Sequence, residues 1–330
     1  MVEIKLPRRE FLTIAGTVIA TSALPNIACA QGAAAPLVFG YQTTSWGIIG
    51  MVVESEGLFK KAGANVTIKK FDGGKSTRDA MISGRVDVGV LGATPFVVGA
   101  AKGDMVAIGM SMYAGKTGSV VAAKNKGIKS IADLKGRRVA SQLGSSTDQV
   151  FQEKILPKFG VSRSDVHTVN IPHQNHLAAL VSGSVDAFAG IEPFPSLAET
   201  EAIGDVLIDY SEFDISPVIL VANRAAIEQK RAAVVASLRA WLAGVEFFKS
   251  KPDEARKIVF TFFKDQGFNV SEVVIQRMLS KVDVTPTFKP ELRAYLENEA
   301  KLLIQQRAIS AAPDWDKALN SDLLQEAMKA

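Results

Sequence analysis

This sequence is poor in the groups that carry most catalysis. Of its 330 residues only Cys29 is a cysteine, and only His167, His173 and His176 are histidines. A single thiol excludes an intramolecular disulfide framework, and so few imidazoles leave little from which to build a nucleophile–base pair or a metal cluster. Charge of one sign is scarce as well. The 38 Lys and Arg against 34 Asp and Glu leave +4, and the basic residues are scattered instead of gathered into a stripe, which argues against a nucleic-acid partner. Membrane-spanning runs are missing too. The uncharged stretch from Phe11 to Leu24 covers about 14 residues, short of the roughly 20 a helix needs to cross a bilayer.

That stretch has a different use. Arg8-Arg9-Glu10-Phe11-Leu12 precedes it, and Ala28-Cys29-Ala30 then Gln31 follow it. A basic start, a short apolar run and an A-x-A site in that order read as an export signal over residues 1–30, and the paired arginines with Phe and Leu resemble the signal read by the twin-arginine exporter. Cleavage after Ala30 removes Cys29 and leaves a thiol-free, soluble, periplasmic chain. Asn26 stands where acylation of Cys29 would need an apolar residue, which argues against a lipoprotein.

The remainder contains a repeat. Residues 80–87, AMISGRVD, match residues 179–186, ALVSGSVD, at five of eight positions, and Pro95-Phe96 and Pro193-Phe194 follow the two copies. Each copy predicts a helix closed by Gly, which suits the left-handed position beyond a helix end, then Val-Asp leading into a strand. Upstream, strands are predicted at 37–41 and 66–71 in one half and at 138–141 and 166–171 in the other, with polar Gly/Ser/Thr loops and helices between. Strands alternating with helices imply parallel pairing and α/β lobes. After about Val221 the texture turns helical: 231–250, a helix opened by Pro252, and 290–307. We therefore expect an α/β fold of two lobes with a hinge and a C-terminal helical tail. Residues 31–117 begin lobe one, 118–216 form lobe two, and 217–330 return to lobe one. The crossings fall near 114–118 and 211–217.

In open parallel sheets ligands bind beyond the carboxyl ends of the strands, where helix N-termini offer unpaired N–H groups. The loops at those places supply Thr44, Ser45 and Trp46, then Gly74 and Lys75, then Ala93 and Thr94 in the first half. The second half supplies Ser145, Ser146 and Thr147, then Glu192. Thr94 before Pro95 reads as an N-cap and first helical residue. Ser and Thr also cap helices without touching ligand, so each loop alone admits both readings. Several at matching strand ends of two repeated lobes point to one shared cleft. Trp46, Phe96 and Phe194 suit either its apolar walls or the core. Helix N-termini and Lys75 favour an anionic group, whereas Glu192 favours an amine or hydroxyl unless it serves the hinge or caps its own helix. His173 and His176 lack an acidic or thiol neighbour in sequence, and we read them as solvated loop residues.

Together, Glu56-Gly57-Leu58-Phe59, the Gly-x-Val-Asp turns, 131–139 (IADLKGRRV), Asp186-Ala187 and Glu192-Pro193-Phe194 resemble the nitrate/sulfonate/taurine-type periplasmic substrate-binding proteins of ABC importers. The resemblance implies a type II binding-protein fold and ligand contacts at the strand-end loops. It also implies a monomer that takes a small molecule, without cofactor or metal, and delivers it to ABC permease subunits. An enzyme resembling the pyrimidine-synthesising relatives of this fold, and a sensor domain that presents its ligand to a receptor, are the alternatives. A nucleotide-binding reading fails on spacing, because Gly74-Lys75-Ser76 and Gly115-Lys116-Thr117 have Lys69 and Met110 where a P-loop needs glycine.

Overall fold

The computed structural model describes residues 36–329, so the export signal and its cleavage site lie outside the described residues. The chain lays down β1 (Leu37–Gln42), β2 (Val66–Phe71), β3 (Val88–Gly92) and β4 (Met105–Tyr113). It then crosses to β5 (Gly118–Ala123), β6 (Arg138–Ser141), β7 (His167–Asn170), β8 (Ala187–Ile191) and β9 (Gly204–Asp209). It crosses back to β10 (Pro217–Asn223) and, much later, β11 (Asp283–Val284). Two sheets result, ordered β11-β4-β10-β3-β1-β2 and β7-β6-β8-β5-β9.

The sheets share one plan. In the first, β2, β1 and β3 are parallel, β10 pairs antiparallel with β3, and β4 lies beyond it. In the second, β7, β6 and β8 are parallel, β5 pairs antiparallel with β8, and β9 lies beyond it. The antiparallel strand of each sheet is the one that arrives from the other, so the chain crosses between the lobes twice. Strands β3, β4, β5, β8 and β10 are buried along their whole length, as expected of sheets covered by helices on both faces.

The repeated motif has a structural role in both copies. Gly84 and Gly183 take left-handed φ of 69° and 71°, ending their helices where a side chain would be strained. The aspartate that follows then grips the start of its lobe's first parallel strand. Asp87 accepts the Val38 N–H at 2.8 Å and Asp186 accepts the Arg138 N–H at 3.0 Å. In return the aspartate N–H groups donate to the carbonyls of the same two residues. Lys230 and Lys126 complete the pairs at 2.9 and 3.1 Å.

In the tail, the Arg231–Ser250 helix packs on the Ile48–Ser55 helix of the first lobe, and Trp241 donates its indole N–H to the Met110 carbonyl at 3.1 Å. The tail does not stay with that lobe. The Glu272–Leu279 helix lies against the Phe194–Thr200 helix of the second, with Arg277 paired to Glu199 at 3.2 Å and Phe268 against Phe194 with ring centroids 5.4 Å apart. Among the described residues no helix is long and apolar enough to cross a membrane.

Candidate functional site

The two sheets meet at the carboxyl ends of their parallel strands, and contacts across the seam involve most of the residues singled out from sequence. The Ser45 N–H donates to the Glu192 carbonyl at 3.0 Å, and the Trp46 indole N–H to Thr117 Oγ1 at 2.9 Å. The Thr94 N–H donates to Ser146 Oγ at 3.0 Å. Glycine is required where these elements cross. A Cβ on Gly92 would stand 2.5 Å from Ser146 Oγ and 2.6 Å from the Trp46 ring, and one on Gly74 would stand 2.9 Å from Pro95. The Lys75 stem passes Gly144 of the second lobe, while its residue as a whole is exposed.

Helix starts face one another here. The Ala93–Ala100 helix opens at the seam, and opposite it Ser146–Val150 opens a helical run that continues through Phe151–Ile155. Ser145 caps that run by accepting the Asp148 N–H at 3.1 Å. The Asp148 carboxylate turns back toward its own sheet, accepting from Ser141 Oγ at 2.8 Å and the Gly144 N–H at 3.1 Å. Two helix N-termini aimed together place like partial charges in one space, an arrangement that an anion between them relieves.

The seam also holds polar atoms with nothing to bond. Thr44 Oγ1, Ser45 Oγ, Gln142 Oε1 and Thr147 Oγ1 are buried without a hydrogen-bond partner, in residues at most 7% exposed. Burying such groups unpaired costs roughly 1–3 kcal/mol each, so a cluster of them from both lobes makes the seam a candidate for a polar ligand.

Two expectations change, those for Thr94 and the histidines, and for Glu192 the structure selects the alternative in which it caps its own helix. Thr94 is not the N-cap: Gly92 caps the helix, Ala93 opens it, and the Thr94 hydroxyl donates to Glu299 at 2.5 Å. Glu192 is 0% exposed and engaged, accepting from the Ser196 N–H and hydroxyl at the start of its own helix and pairing with Lys281 at 2.5 Å. His173 and His176 are not solvated. Their rings pack edge to face at 5.1 Å, and His176 lies on Phe188 at 5.1 Å. Burial lowers both pKa values, that of His176 to about 4, so both are neutral. Phe96 and Phe194 are core, whereas Trp46, also buried, lies on the seam.

Gln142, Thr117 and Glu299 were not anticipated. The signal for Gln142 lay in the repeat: it stands four residues beyond Arg138, as Gln42 stands four beyond Val38, and those two residues are bonded alike by the motif aspartates. Among the described residues no group of three or more His, Cys, Asp or Glu is placed to hold a metal.

Two α/β lobes joined by paired crossings, with polar strand ends facing across the seam, define the fold of a periplasmic-type solute-binding protein. The chain belongs to the NMT1/THI5-like family, whose model matches residues 47–255. It is 26% identical over 320 residues to the putative aliphatic sulfonates-binding protein of Escherichia coli (strain K12), covering 94% of each chain. To the taurine-binding periplasmic protein of the same strain it is 31% identical over 181 residues, covering 54% of each. The alkanesulfonate-binding protein SsuA from Xanthomonas axonopodis pv. citri, bound to MOPS, shares the fold with a TM-score of 0.77 at 21% identity, over 87% of this chain and 98% of that one.

Proposed function

We propose that this protein receives a small anionic solute, of the sulfonate, nitrate or carboxylate class, between its lobes and hands it to the permease subunits of an ABC importer. The carrying observation is the set of buried, unpartnered hydroxyls contributed by both lobes, Thr44, Ser45 and Thr147, beside facing helix N-termini. Hydroxyls and backbone N–H groups donate to an oxyanion from many directions, and Lys75 adds a positive charge at the rim. Glu192 no longer argues for a cation, because Lys281 and Ser196 already satisfy it. Relatives named as sulfonate- and taurine-binding proteins support the same class. On this reading the exported chain begins at Gln31, acts in the periplasm as a monomer, carries its solute without transforming it, and opens and closes about 114–117 and 210–216.

A thermal-shift screen of the mature protein against alkanesulfonates, nitrate, small carboxylates and small amines tests the reading. A true ligand at a hundredfold its dissociation constant adds about 2.7 kcal/mol of stability. Stabilisation by members of the anion set is expected. Stabilisation by amines alone contradicts it.

A further inference from the structure

A buried acid stands behind the helix start of the first lobe. Glu299, on the Leu292–Gln305 helix of the tail, is 3% exposed, and Thr94 Oγ1 lies 2.5 Å from its Oε1. Thr94 in turn reaches the second lobe through its N–H to Ser146. The cation that acts on Glu299 is Lys154, and that ammonium is bonded to Asp214. Asp214 also receives the Tyr295 hydroxyl and both the N–H and the hydroxyl of Ser216. Two buried carboxylates thus share one lysine, and Asp214 holds it along with the other donors. Thr94 is the one hydrogen-bond partner of Glu299 among the described residues. Burial raises the affinity of Glu299 for a proton, and Asp214 and Glu153 add to this, against opposing pulls from Thr94 and Lys154. The phenol of Tyr295, buried beside Asp214, stays neutral.

We propose, building on the anion reading above, that Glu299 is a positioning residue that makes anion capture depend on its own proton. A hydroxyl has one hydrogen. When Glu299 is ionised it takes the hydrogen of Thr94 and sets a negative charge one side chain behind the Ala93–Ala100 helix start, filling the role an anionic solute would play there. When Glu299 is protonated it donates to Thr94 Oγ1, which frees the threonine hydrogen and leaves the helix start without a resident charge. Binding an anion then favours the protonated acid and draws a proton from solution. Affinity is constant below the Glu299 pKa of the free protein and falls by up to tenfold per pH unit above it.

The test combines carbon-13 NMR of the glutamate carboxyls in the mature protein, assigned with Glu299→Gln, and calorimetry with ethanesulfonate in two buffers of different ionisation enthalpy. Glu299 is expected to titrate above the ordinary glutamate range. At a pH above that midpoint, wild type should take up close to one proton on binding and E299Q none, with a pH profile that is flat for E299Q. If the Gln variant does not fold, Glu299→Asp, which retracts the acid from Thr94, should shift the midpoint of the pH profile. An ordinary Glu299 titration, or equal proton uptake by both proteins, overturns the proposal while leaving anion binding intact. Failure of ethanesulfonate to bind at any pH removes the anion reading for this probe and the linkage with it.

Discussion

Two residues three apart, His173 and His176, show how burial changes what a side chain does. Both rings are neutral because the interior disfavours imidazolium, and His176 is tied through Nε2 to the Ile171 carbonyl at 3.0 Å. Their pKa values are depressed, so the unfolded chain binds protons that the folded chain refuses. Stability is fully present above the ordinary histidine pKa near 6.5 and is lost as pH falls toward 4. Each histidine contributes a slope of up to about 1.4 kcal/mol per pH unit in that window. Urea unfolding at pH 7 and pH 5 should therefore show lower stability at pH 5. The difference should shrink in a His173→Gln/His176→Gln variant, and an unchanged difference would mean that other groups set the acid sensitivity. Sequence concealed this pair because Pro172 and the polar Gln174-Asn175 around them read as a loop. Phe188, which covers the His176 ring, comes from elsewhere in the chain.

Among the elements, the tail departs furthest from expectation. The segment from Phe268 to Lys281 joins the first sheet, through β11, to the second lobe, through Phe194, Glu199 and Glu192. The Lys281–Glu192 pair is its most buried ion pair, with Glu192 fully enclosed. Removing one partner of such a pair leaves a buried charge uncompensated, whereas removing both does not. Lys281→Met should cost about 3 kcal/mol in chemical unfolding, and adding Glu192→Gln should recover most of that loss. Equal loss in the single and double variants would show that the pair contributes only packing. Helix limits in this region were legible, since the long amphipathic pattern of 231–250 and the Pro252 start match the observed bounds. Partners were not. The apolar stripe of Val274, Ile275 and Met278 shows that the helix buries a face but not against which lobe. Glu299 likewise reads as one more polar residue in a helix until Thr94 is found opposite it.

Over the whole molecule, the repeat carried most of the architecture. The two Gly-x-Val-Asp turns located equivalent strands in both lobes, and placing ligand at strand ends selected residues that do converge, with Ser45, Trp46, Lys75, Thr94 and Ser146 each touching or flanking the opposite lobe. Hydroxyl direction was beyond its reach, because which Ser or Thr caps, bridges or stays unpaired is set by contacts across the seam. The proposed function carries a motion with it. With Gly92 against Ser146 and Thr94 bonded to it, a solute destined for the seam would need the lobes to part, and closure would unite the unpaired groups of both sides around it. Small-angle scattering of the mature protein, with and without the strongest solute from the stability screen, tests this most directly. A smaller radius of gyration is expected at saturation, with a free form more open than this structure. A profile unchanged by saturating solute would contradict capture by closure of the two lobes.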